Sequence, residues 1–354
     1  MQLRTILVGE LENYLLSEQY RNTEILPITK QRVASQINNP RALPSDPALI
    51  LAEEANGNVL GFIGLLPDLI FTTEQTKVFW ISCWWVHATM GKALGIPLLL
   101  AAHKVSNGLL LADSIPETIS VFQKSRLFVV PEPKQGLKLF LKPLLKSVLI
   151  RRGFFNSGSI IPGIIDKLFG IAFYPMEAFR KIVAKMPAEV IVREGIPTVN
   201  GSPKNLSLFN RDTETLNWIA AYPWLLNKEE KQDSRQYPFS RSAKDFRNFT
   251  IASKEESKDL FLYITVRDGV AKLAYAQTNP ENLNLATTSL LAFLFQKNIK
   301  EFISFHAEIN SALKSKTLPF CIKHQTKYQY VWGKQMPEIS TNQFQYGDGD
   351  AIFT

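Results

Sequence analysis

Ser82-Cys83-Trp84-Trp85-Val86-His87-Ala88-Thr89-Met90-Gly91-Lys92-Ala93-Leu94-Gly95 is the stretch on which the fold turns. Its first residues close a run from Lys77 to His87 that is dense in aromatic and β-branched side chains, the composition of a strand. Ala93 to Ser106 has the continuous apolar character of a buried helix, and Pro97 falls in its first turn, where a missing N–H costs nothing. A strand therefore meets a helix through glycines. Backbone N–H groups at such a junction converge on a phosphate, helped by the helix dipole and by the small residues Gly91, Ala93 and Gly95. Lys92 adds a cation. A glycine-spaced loop by itself also fits an ordinary strand-to-helix turn.

The surroundings narrow the choice. Upstream, strands at Ala48–Glu54 and Val59–Pro67 flank Ala55-Asn56-Gly57-Asn58, whose Asn-Gly pair favours a tight hairpin. Downstream come a strand at Leu109–Ala112, a helix at Pro116–Lys124 opened by Ser114 and Pro116, and a strand at Leu127–Val130. Hairpin, strand, helix, strand, helix, strand is a mixed α+β order without the repeated alternation of a doubly wound sheet.

The quoted segment resembles the fourth strand and pyrophosphate loop of the GNAT acyltransferases. Ile50-Leu51-Ala52-Glu53-Glu54 and Val59-Leu60-Gly61-Phe62-Ile63-Gly64 look like that family's second and third strands. The family loop is Gln or Arg, two residues, Gly, one residue, then Gly or Ala; here Met90, Ala93 and Gly95 stand at the marked positions. The resemblance implies acetyl-CoA or another acyl-CoA as co-substrate, with no metal. It implies Trp85, Val86, His87, Gly91, Lys92, Ala93, Leu94 and Gly95 as cofactor-binding residues, since a fourth strand splayed from the fifth leaves amides for the pantetheine arm and the thioester carbonyl. The family's acidic tyrosine is missing from Val121-Phe122-Gln123-Lys124-Ser125-Arg126-Leu127-Phe128, where Phe122 has no hydroxyl. Candidate catalytic groups are His87, Asp113 and Glu117; Asp113-Ser114 reads first as a helix cap, and His87 also as a structural hydrogen-bonder. Strand alternation sends Trp84 and Trp85 to opposite faces, so one packs the core and one can line the site.

The second half repeats the pattern. A helix at Thr213–Ala221 precedes strands at Asp259–Val266 and Val270–Gln277 around Arg267-Asp268-Gly269. A helix at Ala286–Gln296, a strand at Glu301–His306, a helix at Ile309–Ser315 and a strand at Tyr328–Gly333 follow. The expected architecture is two tandem GNAT-like domains, each a mixed, mostly antiparallel sheet flanked by helices: 1–130 binding acyl-CoA, a connector 131–198, and a degenerate copy 199–354. The second junction, Gln277 to Asn284, has a proline, an acid and no glycine, so the second half is expected to shape an acceptor pocket. Trp84, Tyr222, Trp224 and Tyr275 are its candidate substrate-binding residues.

Lysine and arginine number 40 against 32 acids, a formal charge of +8 that favours phosphate-bearing partners without naming one. Much of the excess lies in 131–186. Lys134, Lys138, Lys142 and Lys146 recur every fourth residue, which predicts a basic helical stripe, and 134–179 reads either as a solvated helix with a connector or as a peripheral membrane contact. No base-stacking pattern suggests nucleic acid, and no DNA partner is expected. Cys83 and Cys321 suggest neither a disulfide framework nor a zinc site, and with no secretory signal or spanning segment the expectation is a cytoplasmic protein, at most peripheral at the membrane's inner face. The ending Tyr346-Gly347-Asp348-Gly349-Asp350-Ala351-Ile352-Phe353-Thr354 reads as a solvated turn. It also resembles tails of tandem GNAT-like proteins associated with bacterial surface-polysaccharide synthesis, which implies a small amine acceptor such as an amino sugar. The expected activity is N-acylation; a Fem-type aminoacyl transferase and a non-catalytic acyl-CoA-binding protein are the alternatives.

Overall fold

The computed structural model describes residues 2–89, 93–113, 116–142, 174–175, 178, 180, 182, 184–195, 208–227, 235–255, 259–318 and 321–354. Two compact units are present, and neither is one continuous stretch. The first comprises Met1–Lys134, Thr198–Lys244 and Tyr328–Thr354; the second comprises Gln135–Pro197 and Asp245–Lys327.

In chain order the elements begin with β1 (Gln2–Leu7), α1 (Leu11–Leu16), α2 (Glu18–Asn22), α3 (Lys30–Ile37), β2 (Pro47–Glu53), β3 (Val59–Phe71) and β4 (Gln75–Val86). Next are α4 (Gly95–Val105), β5 (Leu110–Asp113), α5 (Pro116–Ser125), β6 (Phe128–Val129), β7 (Lys134–Phe140) and β8 (Val190–Glu194). Then come α6 (Thr213–Ala221), β9 (Leu225–Asn227), β10 (Arg241–Ala243), β11 (Phe246–Ser253), β12 (Leu260–Arg267) and β13 (Val270–Thr278). The chain closes with α7 (Leu283–Gln296), β14 (Glu301–Ser304), α8 (Ala307–Ser315), β15 (Ile322–Tyr328) and β16 (Tyr330–Gly333). The result is an α+β protein with two seven-stranded mixed sheets, ordered β1-β2-β3-β4-β5-β16-β6 and β15-β7-β14-β13-β12-β11-β8.

In the first unit, β1 to β4 are antiparallel neighbours, and β4 meets β5 in parallel. Alternation along β2, β3 and β4 divides their side chains between two cores. Ile50, Ile63, Leu65, Phe79 and Ile81 pack with Leu94, Leu98, Leu99 and Ala102 of the α4 side. Leu49, Leu51, Phe62 and Cys83 pack with Leu11, Tyr14, Tyr20 and Val33. Burying each of these large chains contributes about 1.5–3 kcal/mol before chain entropy is set against it. The second unit encloses one core in which Leu262, Ile264 and Phe302 meet Leu290, Phe293 and Leu294 of α7.

Several elements differ from the sequence reading. Lys134 and Lys138 lie on strand β7; a four-residue spacing repeats on a strand as well as on a helix, because four is a multiple of the strand period of two. Lys146 and most of the rest of 134–179 lie outside the described residues. The pieces 198–244 and 328–354 belong with the first unit, although the sequence reads on as one second half from 199. β16 enters the first sheet between β5 and β6, and β7 enters the second beside β14. A local pattern shows that a segment is a strand but not which edge it will find.

The chain ending is not a solvated turn. Asp348 is 1% exposed, and Gly349, at φ +88°, lies against the Trp80 ring where a Cβ would come within 2.9 Å of it. The burial rests on a cluster of ions: Arg211 donates from both Nη atoms to Asp68 at 3.0 and 2.7 Å, Arg41 donates to Asp68 at 3.1 Å, and Trp80 Nε1 donates at 3.2 Å. Arg211 Nε also stands 3.5 Å from Asp348. Burial would raise Asp68, but the Arg211 and Arg41 guanidiniums outweigh it and hold the carboxyl below its ordinary range. Arg41 reaches on to the carbonyls of Phe209 and Asn210 at 2.6 and 2.8 Å, tying the segment before α6 to this sheet.

Candidate active site

β4 and β5 share only two ladder positions, Phe79 with Leu110 and Trp80 with Leu111. Beyond them β4 continues to Val86 on β3, while β5 turns to β16 through Ala112 with Val331 and Asp113 with Tyr330. The two parallel strands thus part. A β-bulge lies just past the parting: Gly64 pairs with Cys83 and Leu65 with Ile81, so Ser82 is the extra residue. Bulges bend a strand and re-aim its neighbours.

On the face opposite α4, the parting strands bring ionisable groups together. Asp113 stands at the end of β5 and accepts a hydrogen bond from the Tyr328 hydroxyl at 2.5 Å. Burial first, then the Asp113 charge, push Asp350 well above the usual carboxylate range, against the pull of Arg32. Both residues keep part of their surface open, although protein crowds the Asp350 carboxyl on most sides. Burial and Asp113 likewise raise the Tyr328 phenol.

Arg32, 5% exposed on α3, donates from Nη1 to the Ser82 carbonyl at 3.2 Å. Its guanidinium lies 4.0 Å from the centre of the Trp224 ring and 5.1 Å from that of Tyr237. Guanidinium over aromatic faces is a favourable way to bury a cation. Beside it, burial pushes the Cys83 thiol up while Arg32 draws it down. Burial and then Cys83 raise the Tyr237 hydroxyl, which is buried beside that thiol.

Of the residues singled out from the sequence, Asp113 stands in this cluster and Trp224 borders it through Arg32. His87 lies past the end of β4: its amide donates to Leu60 at 2.8 Å and its Nδ1 is 3.2 Å from Thr89 Oγ1. Glu117 is exposed on the first turn of α5. Trp84 packs toward Phe122 at 6.0 Å, and Trp85 stacks on Phe62 at 5.4 Å, on opposite faces as strand alternation requires. Val86 pairs with Gly61. Tyr222 ends α6, and Tyr275 is buried in the second unit opposite Tyr263. Met90, Gly91 and Lys92 lie outside the described residues.

Ala93 and Leu94 form the turn into α4, with Leu94 anchored in the core and Gly95 the first helical residue. This end suits an anionic group. Among the described residues no side chain caps it, no acid stands in its first turn, and the Gly95 and Ile96 amides precede the first intrahelical acceptor. The described residues Leu94 to Ile96 thus leave this helix end open to an anion. No group of acids, histidines and cysteines suited to a metal occurs among the described residues.

Arg32, Tyr237, Tyr328 and Asp350 were not legible as site residues. Arg32 sits in an ordinary polar helix, and the tyrosines carry no local motif. Asp350 lay in a segment whose glycines and acids suit a solvated turn equally well.

No protein-family model matches the chain, and no curated protein sequence does. In three dimensions the chain is similar to a candidate acetyltransferase from Pyrococcus horikoshii, with TM-score 0.47 and 12% identity over 98% of this chain and 93% of that one. It is also similar to a GCN5-related N-acetyltransferase from Kribbella flavida, with TM-score 0.45 and 12% identity over 93% and 71% of the two chains. The Saccharomyces cerevisiae N-myristoyltransferase with bound myristoyl-CoA gives 0.45 and 13% over 94% and 82%. Chemistry has to come from this chain's own residues.

Proposed function

We propose that this protein transfers an acyl group from an acyl-CoA thioester to an amine. The observation that carries the reading is the parting of β4 from β5 above the Asp113, Asp350 and Arg32 cluster, with the uncapped end of α4 on the other face. A parted strand pair admits an extended pantetheine arm without breaking further ladder bonds, and strand amides can polarise the thioester carbonyl. Direct attack by the amine in a ternary complex is the mechanism we favour. Acetyl-CoA is the donor to test first, and an amino sugar of surface-polysaccharide synthesis the acceptor, the latter resting on the resemblance of residues 346–354 alone.

Calorimetry with acetyl-CoA tests the donor. A Cβ on Gly95 would meet only Trp84, at 3.5 Å, so Gly95→Glu is sterically tolerated and its acid is favourable to the helix end. It should fold normally and bind acetyl-CoA at least about tenfold more weakly, since like charges repel where the phosphates would lie. No binding by the unaltered protein would sink the assignment. Thiol release with amino sugars, amino acids and polyamines then tests turnover; binding without release would favour a non-catalytic acyl-CoA-binding protein, consistent with Phe122 being a buried core residue.

A further inference from the structure

Among the described residues three arginines of the first unit are buried, and two of them are saturated. Arg41 gives five hydrogen bonds from Nε, Nη1 and Nη2, one of them to the Asp68 carboxylate. Arg211 grips Asp68 with both Nη atoms and holds Nε 3.5 Å from Asp348. Arg32 does neither. Its Nη1 donates to the Ser82 carbonyl at 3.2 Å, but among the described residues no acid forms an ion pair with it and Nε and Nη2 have no acceptor. The Trp224 and Tyr237 rings beside the guanidinium lower the cost of burying its charge, yet a ring face leaves the N–H donors of the fork unspent. The Trp224 ring carries a second such donor: it is buried, and its Nε1–H has no acceptor among the described residues. Buried donors are nearly always matched, so two neighbouring groups with donors to spare mark a place that a ligand completes.

The position of Arg32 in the fold narrows the ligand. Trp80 and Leu111 are the last parallel pair of β4 and β5; Ser82, whose carbonyl Arg32 holds, and Asp113 each stand two residues beyond it. A cation and a carboxyl group therefore flank the parting at one level, on the face away from α4. The Asp350 carboxyl, also at the parting, is pushed up by the Asp113 charge and pulled down by the Arg32 charge, so both act in one small space. Burial holds Asp350 toward its neutral form, which makes it a weak competitor for Arg32 against an incoming anion. An amine that arrives with an oxyanion at its other end is matched at both ends here. An amine without one leaves the arginine unanswered.

We propose that Arg32, with the Trp224 indole beside it, is the subsite for an oxyanion, a carboxylate or a phosphate, carried by the acceptor amine. This names the acceptor class for the acyl-transfer reading and rests on it. The planar fork takes either oxyanion through parallel N–H bonds. An amino acid meets the requirement, and so does the phosphate ester of an amino sugar; a polyamine or a simple amino alcohol does not.

Three small probes separate the possibilities: ethanolamine has no anion, glycine adds a carboxylate, and phosphoethanolamine adds a phosphate. With isotope-labelled tryptophan the protein gives six indole N–H signals, and that of Trp224 is assigned by its loss in Trp224→Phe. It should shift saturably with glycine or phosphoethanolamine, whichever anion fits, and not with ethanolamine. The favoured anion should bind at least about tenfold more tightly than ethanolamine, the strength of a charge-assisted hydrogen bond. Arg32→Gln should abolish that preference, and Arg32→Lys, which keeps the charge but not the fork, should keep part of it. A Trp224 signal that moves for none of the three, or equally for ethanolamine, overturns the subsite whether or not the Arg32 variants fold. Acetyl-CoA-dependent thiol release with the same probes should show the favoured anion lowering KM about tenfold with kcat little changed; equal KM for all three overturns the role in acceptor binding. If acetyl-CoA does not bind, the acyl-transfer reading fails, while the indole titration still decides whether Arg32 holds an oxyanion.

Discussion

The parted strands of the first unit have a counterpart in the second, built alike and filled differently. β13 and β14 pair in parallel from Val270 with Glu301 to Lys272 with Ile303, and then the pairing stops. Two residues past the last pair, β13 carries a bulge at Ala274, just as β4 carries one at Ser82 two residues past Trp80. An antiparallel strand flanks each short partner, β16 in one unit and β7 in the other. Two residues past its last parallel pair β5 places Asp113; the corresponding residue after β14 is Phe305, 4% exposed and packed over Gly136. One parting is lined by titratable groups, the other sealed by an aromatic ring. The backbone arrangement alone therefore confers no chemistry; the side chains gathered at the parting, Asp113 against Phe305 among them, set the two apart.

This contrast can be broken experimentally, beginning with its support. Asp68→Asn leaves Arg41 and Arg211 buried without their carboxylate, so the first unit should lose about 3–5 kcal/mol. Hydrogen exchange resolved by residue would show β3 and β4 opening well before β12 and β13; equal loss of protection in both units would count against an ion cluster private to the first. Next in size, Asp113→Asn should lower thiol release about a hundredfold. Its counterpart Phe305→Leu should leave release unchanged and lower stability by about 1.5 kcal/mol or less. Activity loss from the Phe305 change would make the second parting part of the site.

Gly349→Ala should cost about 1–3 kcal/mol, because φ +88° is unfavourable for alanine and the new methyl meets Trp80. Denaturant melting measures that, and Gly195→Ala is a useful companion: it has positive φ too, but open space for the methyl. The smallest effect is on pH dependence. Asp68 is held below its unfolded range, so its contribution is present above that range and lost as pH falls through the folded value. Asp350 is held above its unfolded range, so the fold is favoured at low pH and that advantage is lost as pH rises through the folded value. Comparing Asp350→Asn with the unaltered protein across pH should remove the second trend and keep the first.

Local elements were well marked in the chain. Thr213–Ala221 begins after Asp212, whose carboxylate accepts from the Thr215 amide at 2.8 Å, and it was legible to the residue. The Arg267-Asp268-Gly269 hairpin was legible because Asp and Gly tolerate the positive φ of 51° and 86° found there. Lys134 and Lys138 misled because their spacing suits two periods. Asp113 was readable as a candidate only as a titratable group near the cleft that the family resemblance implied, with no spacing to specify it; nothing near it announced Asp350.

By itself the sequence determined the elements from 48 to 130 and from 259 to 315, the helix at 213–221, the hairpins and the position of the strand-to-helix junction at 86–95, because these depend on side-chain period, turn chemistry and capping among near neighbours; β1, the helices before β2, β7 and β8 to β11 went unread. Only the tertiary structure decided which strands share a sheet, that β16 closes against β5, and that Arg32, Asp113, Tyr328 and Asp350 meet. Those choices rest on burial and charge pairing between residues hundreds of positions apart, and no local pattern of the chain records them.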